Sequence, residues 1–146
     1  MKGQSMKYKY KTNLKWTGEK KGIQSCVNKP DIAVACPPEF GGHEGFWTPE
    51  DFFVASVEVC TMTTFLWFIK KEKIELKSYS SEAEGIAELV DKTFQFSTLT
   101  INMKIVISNK DDKIKIEKII KKIPRICLVS KSAKCDVILK PEILYE

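Results

Sequence analysis

The stretch from Thr48 to Lys70 constrains this chain more than any other. Thr48 suits a helix N-cap and Pro49 the first helical position. Glu50 and Asp51 fall in the first turn, where carboxylates favour the helix dipole. Thr48-x-x-Asp51 is a shortened capping box. From Phe52 to Ile69 the residues are apolar nearly all round, a length that suits a membrane span. Ser56, Glu58, Cys60, Thr61, Thr63 and Thr64 interrupt that run and favour a helix buried inside a protein.

Strand signals surround this helix. Residues Lys7 to Trp16 alternate (Tyr8, Tyr10, Thr12, Leu14, Trp16), the period-2 pattern of a half-buried strand. Thr17 to Gly22 reads as a turn, Ile23 to Val27 as a second strand, Asn28-Lys29-Pro30-Asp31 as another turn and Ile32 to Cys36 as a third strand. With that turn centred between Lys29 and Pro30, Cys26 faces Ala33 and Cys36 faces Ile23. The two thiols are then not partners, and both read as buried small residues. Pro37 to Gly45 holds two prolines and three glycines, which fixes a loop of specific shape, either a connector or the wall of a pocket.

Beyond the helix, Ile74 to Glu84 and Phe94 to Ser108 read as strands. A phase shift near Ser97-Thr98 suggests a bulge in the second. Asp112 to Ile123 carries a helical isoleucine stripe stopped by Pro124, and Cys135 to Tyr145 closes the chain as a strand. No repeat or low-complexity linker breaks the order. The expectation is one α+β domain over residues 1–146, with N-terminal antiparallel strands, a long buried central helix, and C-terminal strands with a second helix.

Composition narrows the function classes. The chain has 146 residues, 43% of them hydrophobic and 29% charged, as a globular domain should. Met1-Lys2-Gly3-Gln4-Ser5 has no apolar stretch behind it, so a cytoplasmic protein is expected. The net charge is +5, yet of 24 basic residues only Arg125 is an arginine. Base-edge and bidentate phosphate readers favour arginine, so a solvated lysine surface is the reading, with neither nucleic acid nor membrane as partner. Five cysteines (26, 36, 60, 127, 135) form no Cys-x-x-Cys pair, and His43 is the single histidine. That ligand shortage argues against zinc, and in a reducing compartment any disulfide would be transient. Roles for Cys26, Cys36 and Cys135 beyond packing are not legible.

Cys60 lies mid-helix, where a free cysteine usually just packs. Cys127 lies three residues past Pro124, where a thiol can move, though it too could simply fill the core. Spacing alone does not bring the two together. His43 could serve a cysteine as base, but its glycine-rich setting reads as loop.

The segments around these cysteines resemble a known family. Pro38-Glu39-Phe40-Gly41-Gly42, then Thr48-Pro49-Glu50-Asp51-Phe52-Phe53-Val54-Ala55-Ser56 and Cys60, are similar to the central segment of OsmC/Ohr proteins. Cys127-Leu128-Val129-Ser130-Lys131-Ser132 is similar to the family's second cysteine segment, and Trp16 ends the first strand as in the family. The resemblance implies an intertwined homodimer that reduces organic hydroperoxides, or hydrogen peroxide, at the subunit interface. By position it makes Cys60 the peroxidatic thiol, Cys127 the resolving thiol and Glu50 the carboxylate of the site. No cofactor or metal is implied. The disulfide would be reduced by an external dithiol, of lipoyl type in the organic-hydroperoxide members.

The chain departs from the family in one respect. The arginine that stabilises the thiolate near the N-terminal hairpin has no counterpart, which leaves Lys20, Lys21 or Arg125 as the activating cation. Geometry adds an expectation: ten helical positions separate Glu50 from Cys60, about 15 Å along the axis. A glutamate does not span that distance, so if Glu50 contributes to the site it should lie near the Cys60 of a partner chain, or the helix must break between the two. A reading of another class, a binding or redox-sensing protein with an apolar interfacial pocket, shares the same residues. Phe52, Phe53, Phe65, Trp67 and Phe68 suit either reading and plain core as well.

Overall fold

The computed structural model describes residues 5–146; the polar start at Met1 to Gln4, read above as lacking a leader, lies outside the described residues. The chain divides into two compact units that meet at Phe52 and Phe53.

The N-terminal unit is a three-stranded antiparallel sheet, β1 (Asn13–Gly18), β2 (Lys21–Ser25) and β3 (Ile32–Ala35), in that order. Three expectations are corrected here. The first strand begins at Asn13 rather than Lys7. Its partner β2 stops at Ser25, opposite Asn13, so the alternating residues before Asn13 have no strand to pair with. The register of β2 on β3 sets Ile23 opposite Ala33, because the turn from Cys26 closes earlier, through a bond from the Lys29 amide to the Cys26 carbonyl (3.1 Å). Cys26 and Cys36 are half-buried rather than buried, and both are free thiols.

The Pro37–Gly45 loop closes on itself around a short 3-10 turn, Pro38–Phe40. Gly42 packs so tightly that a Cβ there would overlap the Cys36 carbonyl, and Gly41 adopts φ +75. The loop is tied to the β1–β2 turn: Lys20 Nζ donates to the Phe40 carbonyl (3.2 Å), and His43 Nε2 lies 3.4 Å from Glu19 Oε2.

Helix α1 spans Pro49–Lys71 and starts as the capping residues require. The Asp51 amide donates to Thr48 Oγ1 (3.1 Å), and the Thr48 amide donates to Asp51 Oδ2 (3.0 Å). By length and hydropathy it could cross a membrane. Its burial differs from the expectation of a helix enclosed on all sides. Only Val57, Thr61, Phe65, Phe68 and Ile69 are buried, at the 3–4 spacing of one face, while Val59 and Trp67 are more than half exposed. Within one chain a sheet can cover only one side of a helix.

The C-terminal unit carries that sheet: β4 (Leu76–Val90), β5 (Thr93–Ile107) and β6 (Asp136–Tyr145), in that order. Strands β4 and β5 form a long hairpin turned by Asp91 and Lys92, both at positive φ, as a two-residue turn of the primed type needs. The hairpin runs past Glu84, where the sequence pattern ended. The bulge falls as anticipated, with Ser97 the extra residue between the pairs Ile86–Thr98 and Ala87–Phe96. After it, Leu99, Ile101, Met103, Ile105 and Ile107 are all buried on one face. Strand β6 returns parallel to β5 and forms the sheet edge, where Pro141 costs no ladder bond.

The β5–β6 crossover contains α2 (Lys113–Ile126) and α3 (Leu128–Ser132). Ile116, Ile119, Ile120 and Ile123 of α2 complete the core with α1 and β5. Pro124 does not stop α2, as the sequence suggested, but sits in its last turn. There the ring forfeits one backbone bond, and the next is recovered by the Cys127 amide donating to the Ile123 carbonyl (2.8 Å).

Candidate functional site

Two thiols meet in the C-terminal unit. Cys60 projects from the middle of α1, and Cys127 is the single extended residue (φ −65, ψ 120) between α2 and α3. Sequence spacing left their meeting open; folding brings the two thiols close enough that each shifts the ionisation of the other. They differ in access: Cys60 is half-buried, whereas Cys127 is 1% exposed.

The pair shares its protons unequally. Burial pushes the Cys60 thiol above its ordinary value, and the adjacent Cys127 adds to the rise; the Val129 backbone and the Thr64 hydroxyl oppose it. Burial alone would raise Cys127 as well. It is outweighed by hydrogen bonds from the Cys60 thiol, the Ser130 amide and the Ser130 and Thr64 hydroxyls, so the net direction is down. The Ser130 contribution through its side chain is weak, because that buried oxygen has no hydrogen bond of ordinary geometry. The two thiols thus influence each other in opposite directions, Cys127 raising Cys60 and Cys60 lowering Cys127.

Thr64, Val129 and Ser130 were not singled out from the sequence. The signal for Thr64 was present: it lies four positions after Cys60 and so shares its helical face. The contributions of Val129 and Ser130 arise from backbone direction after the α2–α3 break, which no residue pattern reports.

The other candidates lie elsewhere. Glu50 is in the first turn of α1, half-buried, with Oε2 enclosed and lacking a hydrogen-bond partner among the described residues. Lys20 is held by the Phe40 carbonyl, and Lys21 by Glu19 at 3.3 Å. Both line a largely apolar cleft of about 480 Å³ in the N-terminal unit, with Leu14, Trp16, Pro49 and Phe52. Arg125 is exposed at the end of α2. Neither thiol's shift has a cation among its causes. His43 is tied to Glu19 within the loop. Among the described residues no cluster of His, Cys, Asp and Glu is arranged to hold a metal.

An α+β chain that pairs a central-helix thiol with a second thiol at a helix break defines a dithiol protein of a specific architecture. The family model for OsmC-like protein matches residues 41–142, and the chain belongs to that family. Similar solved structures include an OsmC-like protein of unknown function from Vibrio cholerae (17% identity, TM-score 0.85, covering 93% of this chain and 100% of that one). An organic hydroperoxide resistance protein from Legionella pneumophila is similar at 23% identity and TM-score 0.71, covering 94% of this chain and 99% of that one. OhrB of Bacillus subtilis, also titled an organic hydroperoxide resistance protein, is similar at 20% identity and TM-score 0.66, covering 93% and 98%. No curated protein matches the sequence at a significant level.

Proposed function

We propose that this chain is a cysteine-based hydroperoxide reductase in which Cys60 is oxidised and Cys127 closes a disulfide upon it. The observation that carries the proposal is the adjacency of one half-buried and one enclosed thiol, each acting on the other's ionisation. Access decides the order of attack. A hydroperoxide can reach half-buried Cys60 but not Cys127, so the thiolate form of Cys60 is the attacking species. The thiolate attacks one peroxide oxygen, an S–O bond forms and the O–O bond breaks; the departing alkoxide takes a proton and leaves as alcohol. Cys127 then attacks the Cys60 sulfenic acid, an S–S bond forms, and hydroxide leaves as water. An external dithiol returns two electrons and two protons by exchange, a lipoyl dithiol being one reductant of suitable chemistry.

Two features support a homodimer as the working form. Helix α1 shows no break between Glu50 and Cys60, so Glu50 would serve the thiol of a second chain. The exposed Val59, Leu66 and Trp67 offer that second chain an apolar surface. Lys20, Lys21 or Arg125 would supply the activating cation in the assembled site.

Thiol titration before and after one equivalent of cumene hydroperoxide tests the reading. Two of the five thiols should disappear within seconds, and Cys60→Ser should abolish the loss. The raised pKa of Cys60, which leaves less thiolate to attack, favours one other reading, a binding or redox-sensing protein on the same scaffold. No thiol loss over many minutes would select it and refute the enzyme.

A further inference from the structure

The charge of this chain is concentrated rather than spread. From Lys113 to Lys134 there are eight lysines and arginines against one acidic residue, Glu117, an excess of seven where the whole chain has five. Lys113 is paired with Glu117 (3.8 Å) and Lys115 with Asp112 (3.7 Å). Lys118, Lys121, Lys122, Arg125, Lys131 and Lys134 are all exposed, and none has a carboxylate partner among the described residues. Isoleucines 116, 119, 120 and 123 fill the opposite side of α2, so the cations of that helix are held outward together.

Basic residues lie on both sides of Cys127 in the chain, on α2 before it and from α3 to Lys134 after it. The residues on either side of the thiol, Ile126 and Leu128, are 50% and 68% exposed. An apolar centre flanked by unpaired charge is the anatomy of a protein-docking patch, and here its apolar residues are the chain neighbours of Cys127. A small free dithiol needs no such surface to reach a disulfide.

We propose that the α2–α3 surface docks an acidic protein that carries the reducing dithiol. The proposal rests on the Cys60–Cys127 disulfide put forward above. In the exchange, a thiolate of the carrier attacks one sulfur of that disulfide; the S–S bond breaks and a mixed disulfide forms. The second carrier thiol attacks the mixed disulfide and leaves as the oxidised carrier. Two electrons and two protons pass to Cys60 and Cys127. The charge complementarity acts on the encounter, raising the rate at low salt and fading as the screening length shortens.

The test uses the full chain oxidised with diamide, with the Cys60–Cys127 link verified by mass spectrometry. Two synthetic peptides share one Cys-Gly-Pro-Cys dithiol, one flanked by glutamates and the other by lysines. The glutamate peptide should reduce the link about tenfold faster at low salt, with the advantage lost at high salt. A Lys118→Glu/Lys121→Glu/Lys122→Glu variant should lose the advantage. Lys7→Glu/Lys9→Glu/Lys11→Glu, the same charge change on the N-terminal segment, should keep it. Dithiothreitol should reduce all three proteins at one rate, which also shows that each is folded. Equal peptide rates, or equal effects of the two charge reversals, would overturn the docking surface while leaving the reductase intact. Patch-dependent binding of phosphatidylserine vesicles or a single-stranded oligonucleotide, with no peptide preference, would reassign the surface and overturn it too. Failure of diamide to link Cys60 with Cys127 would sink both readings.

Discussion

Replacing Thr61 by valine should make this protein more stable, against the usual direction of core substitutions. Thr61 follows Cys60 on α1 and is 0% exposed, between Val57 and Phe65 on the same buried face, both also 0% exposed. A buried helical threonine normally returns its hydroxyl to a carbonyl one turn back. Here Oγ1 is enclosed and makes no hydrogen bond among the described residues. Valine has nearly the same shape and a similar helix propensity, so the change removes the desolvation penalty and little else. An unpaired buried hydroxyl costs about 1–3 kcal/mol, and that amount should be recovered. For a chain of this size each kcal/mol moves Tm by roughly 3–4 °C, so Tm should rise by about 3–12 °C. Urea unfolding at one fixed protein concentration is the assay, because in a chain that assembles the midpoint would depend on concentration. The midpoint should rise with the slope unchanged. A loss of 1 kcal/mol or more would mean that the hydroxyl has a partner, and would refute the reasoning.

Two further expectations follow from the site and the sheet. Cys127→Ser removes a neighbour whose charge and hydrogen bonding both raise the Cys60 pKa, while burial continues to raise it. The pH profile of Cys60 alkylation by iodoacetamide should therefore move to lower pH, and an upward move would show that Cys127 had been helping Cys60 ionise. Gly85→Ala should destabilise the C-terminal unit by about 1–3 kcal/mol in urea unfolding, since overpacking forces neighbours off their rotamers. The new Cβ would meet Val54 Cγ2 at 2.7 Å and the Phe96 ring at 2.8 Å, a ring already stacked on Phe53 at 4.6 Å. Neutral or improved stability would show that the stack yields freely.

What the sequence determined by itself was local. The Thr48–Asp51 box, the extent of α1 to within a residue, the bulge at Ser97 and the core face of β5 all follow from periodicity and terminal chemistry, which act over a few residues. Cys60 and Cys127 were also marked as candidates, each on its own segment. Tertiary structure decided what depends on a partner. β1 is short because β2 ends at Ser25, and α2 passes through Pro124 because its final turn is still closed at Cys127. One side of α1 stays open because the sheet has a single face to give it. The thiol pair is of this kind as well: 67 positions separate Cys60 from Cys127, and only the packing of α2 against α1 and β5 makes the two neighbours at one core. Hydrogen bonds and burial belong to pairs of groups, and a linear pattern records only one member of each pair.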